Sequence, residues 1–222
     1  KLPFYHSFAG KTVGPAVDLA EHLINIAPPA ADGASMSRAF FCSSGSEAND
    51  SAIKMVWYYQ AARGKPEKRK IISRRRGYHG VTMAAASMTA LAYAQDGFGL
   101  PLEFVKHTTA PCFYNEGHDG ESERDFARRC AEELEALILA EGPDTVAALF
   151  AEPVMGAGGV VIPPEGYFEE IRRVLRKHDV LLVADEVICG FGRTGNMWGS
   201  QTMDVRPDML TCAKALSSAY LP

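Results

Sequence analysis

The stretch from residue 145 to residue 187 constrains the fold of this chain more than any other segment. It contains two apolar runs, TVAALFAEPV and VLLVADEV, separated by GYFEEIRRVLRKHD, in which apolar residues recur at helical spacing. Two short buried strands joined by an amphipathic helix form a βαβ unit, and its strands run parallel. The chain is therefore predicted to be an α/β protein with a mostly parallel sheet sandwiched by helices.

Other segments supply further elements for such a sheet. Short apolar runs at residues 69–73, 102–107 and 208–213 are predicted strands, and PAVDLAEHLINIA and SERDFARRCAEELEALILAEG are predicted helices. A further helix follows SSGSEAN, where Ser44 and Glu47 have the spacing of a capping box. Residues 108–121 are predicted to form a long loop.

The charge and the cysteines exclude several kinds of partner. The net charge of −4 provides no basic surface for nucleic acid, and no apolar segment reaches the ~20 residues that a membrane-spanning helix needs. The five cysteines are scattered, without a CxxC pair or a Cys/His cluster, so we expect no metal site. Reduced thiols of this kind are typical of a cytoplasmic protein.

Two acids follow buried strands, at the sheet edge where ligands bind in α/β proteins. Asp185 ends the run VLLVAD, and its carboxylate is costly to bury unless a cation or a hydrogen bond replaces water. Val187 is predicted to point to the same side as Asp185, and such a pair suits a flat aromatic cation. The alternative is that Asp185 caps the next loop, in a solvated acid pair with Glu186. Glu152 follows the other strand, where an orienting role and direct chemistry both remain open.

Two glycine-containing turns carry candidate binding groups. In SSGSEAN, Gly45 permits close approach of a ligand and the next helix presents free amides, which is typical of a phosphate site. In GYHG, Tyr78 can present its ring face to a flat heterocycle, and His79 can form a hydrogen bond beside it. The alternatives are a plain capped turn for the first segment and a loop aromatic packed on the core for the second.

Lys214 lies in CAKAL, among small and apolar neighbours near the end of the chain. Lysine forms Schiff bases with carbonyl groups once burial or neighbouring groups favour its neutral amine. The alternative is a surface lysine on a helix. A lysine for an aldehyde, an acid for a ring nitrogen, a stacking ring and a phosphate cradle are together the requirements of one cofactor, pyridoxal phosphate.

In its longer motifs the chain resembles the class III aminotransferases, which are pyridoxal-phosphate enzymes of fold type I. The motifs are SSGSEAND, GYHGVT, AEPVMGAGGVVIPP, LLVADEVICGFGRTG and PDMLTCAKALSSAYLP, and the match covers nearly the whole chain. The resemblance is closest to the ω-amino acid and amine:pyruvate group. One departure is Ala215, which follows the lysine where many relatives have glycine.

The resemblance implies that one group of residues forms the cofactor site. They are Ser44, Gly45 and Ser46 for the phosphate, Tyr78, His79 and Val187 around the ring, Asp185 at the ring nitrogen, Glu152 in the cofactor environment, and Lys214 as the Schiff-base lysine. Lys214 and Asp185 are the two implied catalytic residues.

The resemblance also implies a function. An amino group would pass from an amine or ω-amino acid to a keto acid such as pyruvate, by ping-pong chemistry through the Lys214 Schiff base. The alternatives are an aminomutase, which shares this cofactor, and an inactive fragment with only partial cofactor binding. The chain opens with KLPFYHSF and ends directly after a structured run. We therefore expect residues 1–222 to be most of the large cofactor-binding domain of a homodimer or tetramer, without an N-terminal segment and a small C-terminal domain.

Overall fold

The computed structural model describes residues 10–30, 32–218 and 220. Its strands are β1 (Lys70–Arg74), β2 (Val105–Thr108), β3 (Val146–Ala151), β4 (Leu181–Asp185) and β5 (Met209–Thr211). Its helices are α1 (Gly14–Ile26), α2 (Gly45–Ala62), α3 (Met83–Met88), α4 (Ala92–Gln95), α5 (Phe113–Glu116), α6 (Glu123–Glu141), α7 (Tyr167–Lys177) and α8 (Gly199–Thr202). Short 3₁₀ turns occupy Pro143–Thr145 and Lys214–Ser217. None of the described helices is long and apolar enough to cross a membrane.

The strands form one parallel sheet in the order β2-β1-β3-β4-β5. The predicted βαβ unit is confirmed as β3, α7 and β4, with Ala148 opposite Leu181 in register. The three other predicted strands pair as β1, β2 and β5, so the predicted α/β class is confirmed. Because parallel strands all end at the same edge, the segments that follow β1, β3, β4 and β5 come together there.

Helices cover both faces of the sheet. One face packs against α6 and α7 in a core that contains Ile72, Phe126 and Ile171. The other face packs against α2 and α3, with Ile71 and Val56 in its core. The adjacent residues Ile71 and Ile72 of β1 point to opposite faces, as strand geometry requires. The sheet is therefore apolar on both sides, which explains the unbroken apolar runs in its central strands.

The departures from the predicted pattern are short helices. Residues 108–121 contain the short helix α5, and α3 and α4 follow GYHG, where no helix is predicted. The Asp50 carboxylate of α2 accepts a hydrogen bond of 2.9 Å from the Ala85 amide in the first turn of α3. Local sequence patterns do not predict α3, because this cap comes from another part of the chain.

Candidate active site

One cavity of about 780 Å³ lies at the carboxyl ends of the strands. Its lining comes from the segments that follow β1, β3, β4 and β5, and from the start of α2. All the candidate site residues line it, namely Ser44, Gly45, Ser46, Tyr78, His79, Glu152, Asp185, Val187 and Lys214. Lys214 and Asp185 therefore face the same space and are not separated by the sheet. The structure gives the position of each residue, and its role stays a prediction.

The start of α2 presents backbone amides to this cavity. The Ser44 hydroxyl accepts a hydrogen bond of 3.1 Å from the Glu47 amide, which caps the helix as predicted. The Glu47 carboxylate bonds to the Ser43 amide rather than to the Ser44 amide, so only half of the predicted capping box is present. Gly45 and Ser46 are the first two helical residues, and no preceding turn supplies carbonyls for their amides. These amides and the helix dipole favour an anion here.

Gly45 also sets how closely the lining residues approach one another. A Cβ atom at Gly45 would lie 3.0 and 3.2 Å from the two methyl carbons of Val187 and 3.3 Å from the Ala213 Cβ. These contacts are tighter than ordinary van der Waals packing, so any larger residue would push Val187 or Ala213 away. The glycine thus keeps the amides of α2 next to the side chain that follows Asp185.

Gly80 holds the GYHG segment against the same helix. The Ser46 hydroxyl accepts a hydrogen bond of 3.1 Å from the Val81 amide, which draws the two segments together. Gly80 has a φ angle of +133°, and a Cβ there would lie 2.8 Å from the Cα and Cβ atoms of Ser46. Glycine is therefore required at this position both by its backbone conformation and by its neighbour.

Replacing Gly80 with alanine is expected to destabilise the chain by at least about 2 kcal/mol, because the new methyl adds a clash to an unfavourable φ angle. Gly97 provides the matched control, since it has a φ angle of +82° but no atom within 4 Å of its added Cβ. Gly97→Ala should cost only the conformational term, about 1 kcal/mol. Urea unfolding followed by circular dichroism measures both variants, and equal losses of stability would contradict the assigned clash.

Glu152 orients its neighbours rather than pointing freely into the cavity. One carboxylate oxygen accepts a hydrogen bond of 3.1 Å from the Tyr78 amide, and the other accepts one of 2.9 Å from the Gly156 amide. The buried Arg74 guanidinium donates to the Glu152 carbonyl oxygen at 2.5 Å. Burial raises the pKa of Glu152, and the electrostatic interaction with the nearby His79 opposes this shift. Glu152 therefore fixes the backbone from which the Tyr78 ring projects, which favours the orienting role.

Asp185 is 3 % exposed and its carboxylate has several hydrogen-bond partners. One oxygen, Oδ2, lies 2.8 Å from His79 Nδ1 and 2.8 Å from Asn49 Nδ2. The other oxygen, Oδ1, accepts a hydrogen bond of 3.1 Å from the Val187 amide. These donors supply the compensation that a buried carboxylate needs. Oδ1 has only this one donor among the described residues, so it can accept another from a ligand.

Val187 reaches the cavity for a reason other than the predicted one. The prediction places it on the same side of an extended strand as Asp185, but β4 ends at Asp185 and Val187 lies in the following turn. Its amide donates to Asp185 Oδ1, and its methyl groups pack close to Gly45. The turn therefore returns Val187 to the cavity.

Glu186 is buried, so the alternative of a solvated acid pair is wrong. Its carboxylate accepts hydrogen bonds from the Gly199 amide at 2.9 Å and from the Ser200 amide at 2.6 Å, and also from the Ser200 hydroxyl. Burial raises the pKa of Glu186, which these donors partly oppose. The side chains of the two adjacent acids therefore point to different places, Asp185 to the cavity and Glu186 to the start of α8.

Lys214 begins the 3₁₀ turn that follows β5, and its side chain is exposed at the cavity. It has a φ angle of 48°, in the left-handed region that non-glycine residues rarely adopt. Ser218, which also lines the cavity, has a positive φ angle as well, so the surrounding structure holds the backbone of this turn in a strained conformation. The alternative of a surface lysine on a helix matches the structure in part, because Lys214 is exposed and lies in a 3₁₀ turn, but its side chain also lines the cavity.

The sequence predictions missed several residues at the site. Gly80, Ile188, Arg193 and Ala213 also line the cavity. Asn49 lies beneath it, fully buried and bonded to Asp185. A signal for Asn49 is present in the sequence, because it shares the helical spacing of the buried residues of α2, Ala52, Ile53 and Val56. A buried amide on an apolar helix face needs hydrogen-bond partners.

Comparison with known protein families identifies the chain. The family model described as aminotransferase class III matches residues 3–222. The chain belongs to the class III aminotransferase family. This class III chain is similar to a probable gamma-aminobutyrate transaminase 2, mitochondrial, from Oryza sativa subsp. indica, with 54% identity over all of this chain and 44% of the relative. It is also 50% identical to the vanillin aminotransferase of Capsicum frutescens, over 100% of this chain and 47% of the relative.

Solved structures agree with the fold of this class III chain. The omega transaminase from Pseudomonas jessenii in complex with PMP is 55% identical and superposes with a TM-score of 0.96, over all of this chain and 48% of that one. A structure described as a transaminase with L-Ala is 57% identical, with a TM-score of 0.95, and this chain covers 51% of it. The chain therefore spans about half the length of the relatives that it matches.

Proposed function

We propose that this class III chain is the cofactor-binding part of a pyridoxal-phosphate-dependent aminotransferase. The observation that carries the proposal is the convergence of Lys214 and Asp185 on one cavity, which also receives the amino-terminal end of α2. The match to the class III family supports the same cofactor. An amine, a carboxylate and an anion site in a single cavity are the groups that this cofactor needs.

The residues of the cavity fit the separate parts of the cofactor. The amides of Gly45 and Ser46 are available for the phosphate, because the first turn of a helix leaves its amides unpaired. Tyr78 and Val187 are the aromatic and branched side chains available to cover the ring. Asp185 Oδ1 is available for the ring nitrogen. The His79 imidazole contacts Asp185 through Nδ1, and its buried Nε2 atom has no hydrogen-bond partner among the described residues. His79 would therefore act on the cofactor through Asp185.

Each residue then has a definite task. When bound, pyridoxal phosphate supplies an aldehyde that attaches primary amines and a ring that accepts an electron pair. Lys214 Nζ would be the attachment point for the aldehyde and the base that takes and returns the substrate proton. Asp185 holds a proton on the ring nitrogen by hydrogen bonding. Glu152 keeps the Tyr78 backbone in place.

The proposed substrates are an amine or ω-amino acid as donor and a keto acid such as pyruvate as acceptor. Support comes from the relatives, which are named as a gamma-aminobutyrate transaminase and an omega transaminase and are 54% and 55% identical. The chain spans under half of either relative, so the turnover belongs to the whole protein. Residues 1–222 alone are expected to bind the cofactor and to catalyse transamination only slowly.

The test follows absorbance. Adding pyridoxal phosphate to the purified chain should produce a new visible band, and in the whole protein γ-aminobutyrate should discharge the band and pyruvate should restore it. Two separable half-reactions are the kinetic signature of a ping-pong transfer. An aminomutase would need no keto acid to complete its turnover. A chain that shows no band at saturating cofactor would contradict the proposal.

The parent protein is proposed to be a homodimer or tetramer in which residues 1–222 form most of the large domain. Exposed apolar side chains next to the cavity support a partner surface, since Val81 is 73% exposed and Met83 58%, and both lie in the segment that directly follows Gly80 of the cavity lining. Light scattering on the whole protein decides the assembly state.

A cytoplasmic location stays a prediction. The five cysteines are free, which agrees with a reducing compartment. The rice relative, however, is named as mitochondrial, and reduced thiols do not distinguish these compartments. Fractionation of cells that produce the whole protein separates the two locations.

A further inference from the structure

Asn49 lies beneath the cavity and joins its own helix to three other parts of the fold. Its side chain is fully buried, on the second turn of α2. The Nδ2 atom donates to the His79 carbonyl at 2.7 Å and to Asp185 Oδ2 at 2.8 Å. The Oδ1 atom accepts a hydrogen bond of 2.8 Å from the Thr211 hydroxyl at the end of β5. One amide therefore connects α2, the GYHG segment, β4 and β5.

The network fixes which way this amide points. The reversed amide would place its oxygen against the His79 carbonyl and the Asp185 carboxylate, so that three acceptors would face one another. It would also turn the amide nitrogen toward Thr211, whose hydroxyl now donates to Asn49. The His79 carbonyl and the Asp185 carboxylate, which can only accept, therefore fix the orientation of the amide. The Thr211 hydroxyl, which can donate or accept, anchors the amide oxygen to the end of β5.

The amide in turn restrains the carboxylate. Asp185 Oδ2 has two partners, the side chains of Asn49 and His79, while Oδ1 has the Val187 amide. A rotation of the carboxylate would break bonds at both oxygens in a buried site, where an unmet polar group is costly. The orientation of Oδ1 toward the cavity therefore depends on the donors at Oδ2.

We propose that Asn49, anchored to β5 by Thr211, is the positioning residue for Asp185. It sets the direction of Asp185 Oδ1 and holds the carboxylate at a constant place relative to the first turn of α2, which is the candidate phosphate site. It also ties both to β5, three residues before Lys214. The proposal rests on the proposed function only for its effect on the cofactor, since the effect on Asp185 and His79 exists without it.

The first measurement needs no cofactor. Asn49→Ala is expected to shift the ¹⁵N signal of His79 Nδ1 and to accelerate hydrogen exchange at the Val187 amide, because the carboxylate that both contact becomes free to turn. Gln60→Ala is the matched control. Gln60 is another fully buried amide on α2, and its side chain reaches the Ala147 carbonyl at 3.4 Å, away from the cavity lining. It should lower the melting temperature and leave both signals in place.

The second measurement is cofactor affinity by absorbance titration. A hydrogen bond to a charged group is worth about tenfold or more in an equilibrium constant, so Asn49→Ala should weaken binding by about tenfold. Thr211→Val has nearly the same shape and should produce a smaller loss in the same direction. The double variant should bind about as well as Asn49→Ala alone, since the two residues act as one unit. Gln60→Ala should stay within about twofold of the unaltered chain.

Several results would overturn the positioning role. They are unchanged His79 and Val187 signals in Asn49→Ala, equal loss of affinity in Gln60→Ala, or fully additive effects of the Asn49 and Thr211 changes. If Asn49→Ala does not fold, both the His79 and Val187 signals and the cofactor affinity are measured on Thr211→Val instead. Failure of the unaltered chain to form a cofactor band would count against the proposed function instead, and the signals of the cofactor-free chain would still decide whether Asn49 positions Asp185.

Discussion

Replacing Lys214 with alanine is expected to abolish covalent attachment of pyridoxal phosphate and to lower transamination by the whole protein by at least ~10³-fold. Lys214 is the one primary amine among the described residues that line the cavity. Its loss removes both the attachment point and the base for the substrate proton, and general-base catalysis alone contributes about 10²–10⁴-fold. Borohydride reduction followed by peptide mass spectrometry measures attachment, and steady-state rates measure activity.

Lys54→Ala is the control for this change. Lys54 is an exposed lysine on α2 and does not line the cavity. This variant should keep the reduced cofactor on the peptide that contains Lys214, with an unchanged rate. Cofactor trapped on a different lysine in the unaltered chain, or trapped in equal amount by Lys214→Ala, would show that the attachment point has been assigned wrongly.

Replacing Asp185 with asparagine is expected to weaken cofactor binding by about 10²-fold, because an amide has no charge to offset a protonated ring. The geometry adds a second penalty. Oδ2 now faces donors from His79 and Asn49. An asparagine with its oxygen toward these donors must turn its amide hydrogens toward the ring nitrogen, and the opposite orientation sets donor against donor. Absorbance titration measures the affinity, and the rate at which an amine discharges the band measures the chemistry.

Asp208→Asn separates a change at the cavity from a general loss of a buried acid. Asp208 lies at the other end of the sheet, where its carboxylate accepts a hydrogen bond of 2.8 Å from the Leu182 amide. Burial raises the pKa of Asp208. This variant should change the melting temperature and leave cofactor affinity within about twofold. Comparable losses of affinity in the two variants would be incompatible with a direct contact between Asp185 and the cofactor.

The fold could be predicted from the sequence where one physical signal dominates. Strand β4 is an unbroken apolar run because both faces of the sheet are covered, and α7 shows helical spacing because only one of its faces is buried. The short helix α3 could not be predicted, because the side chain that accepts from its first-turn Ala85 amide is Asp50 of α2, while its own N-cap residue Thr82 makes no capping hydrogen bond. Its existence depends on the assembled fold.

The site shows the same division. Asp185 and Lys214 stand out because each is an ionisable residue in an apolar or small-residue context. Strand alternation predicts that Val187 lies on the same side as Asp185, but a turn after β4 is what places it at the cavity. The burial of Glu186 is not evident from the local sequence, because the amides that compensate its carboxylate belong to Gly199 and Ser200 of α8. Asn49 bonds to a residue 136 positions away and to another 162 positions away, so local spacing indicates burial but not its partners.

The long sequence separations between Asn49 and its partners mean that the cavity exists only in the folded chain. Helix α2 and the ends of β4 and β5 are far apart in the chain and are brought together by the fold, so the unfolded chain offers no weaker copy of the pocket. A molecule that spans them binds the native state alone, and mass action then raises the melting temperature in step with the logarithm of its concentration. A thermal-shift series across candidate ligands would therefore report occupancy of this pocket even in a chain that turns nothing over.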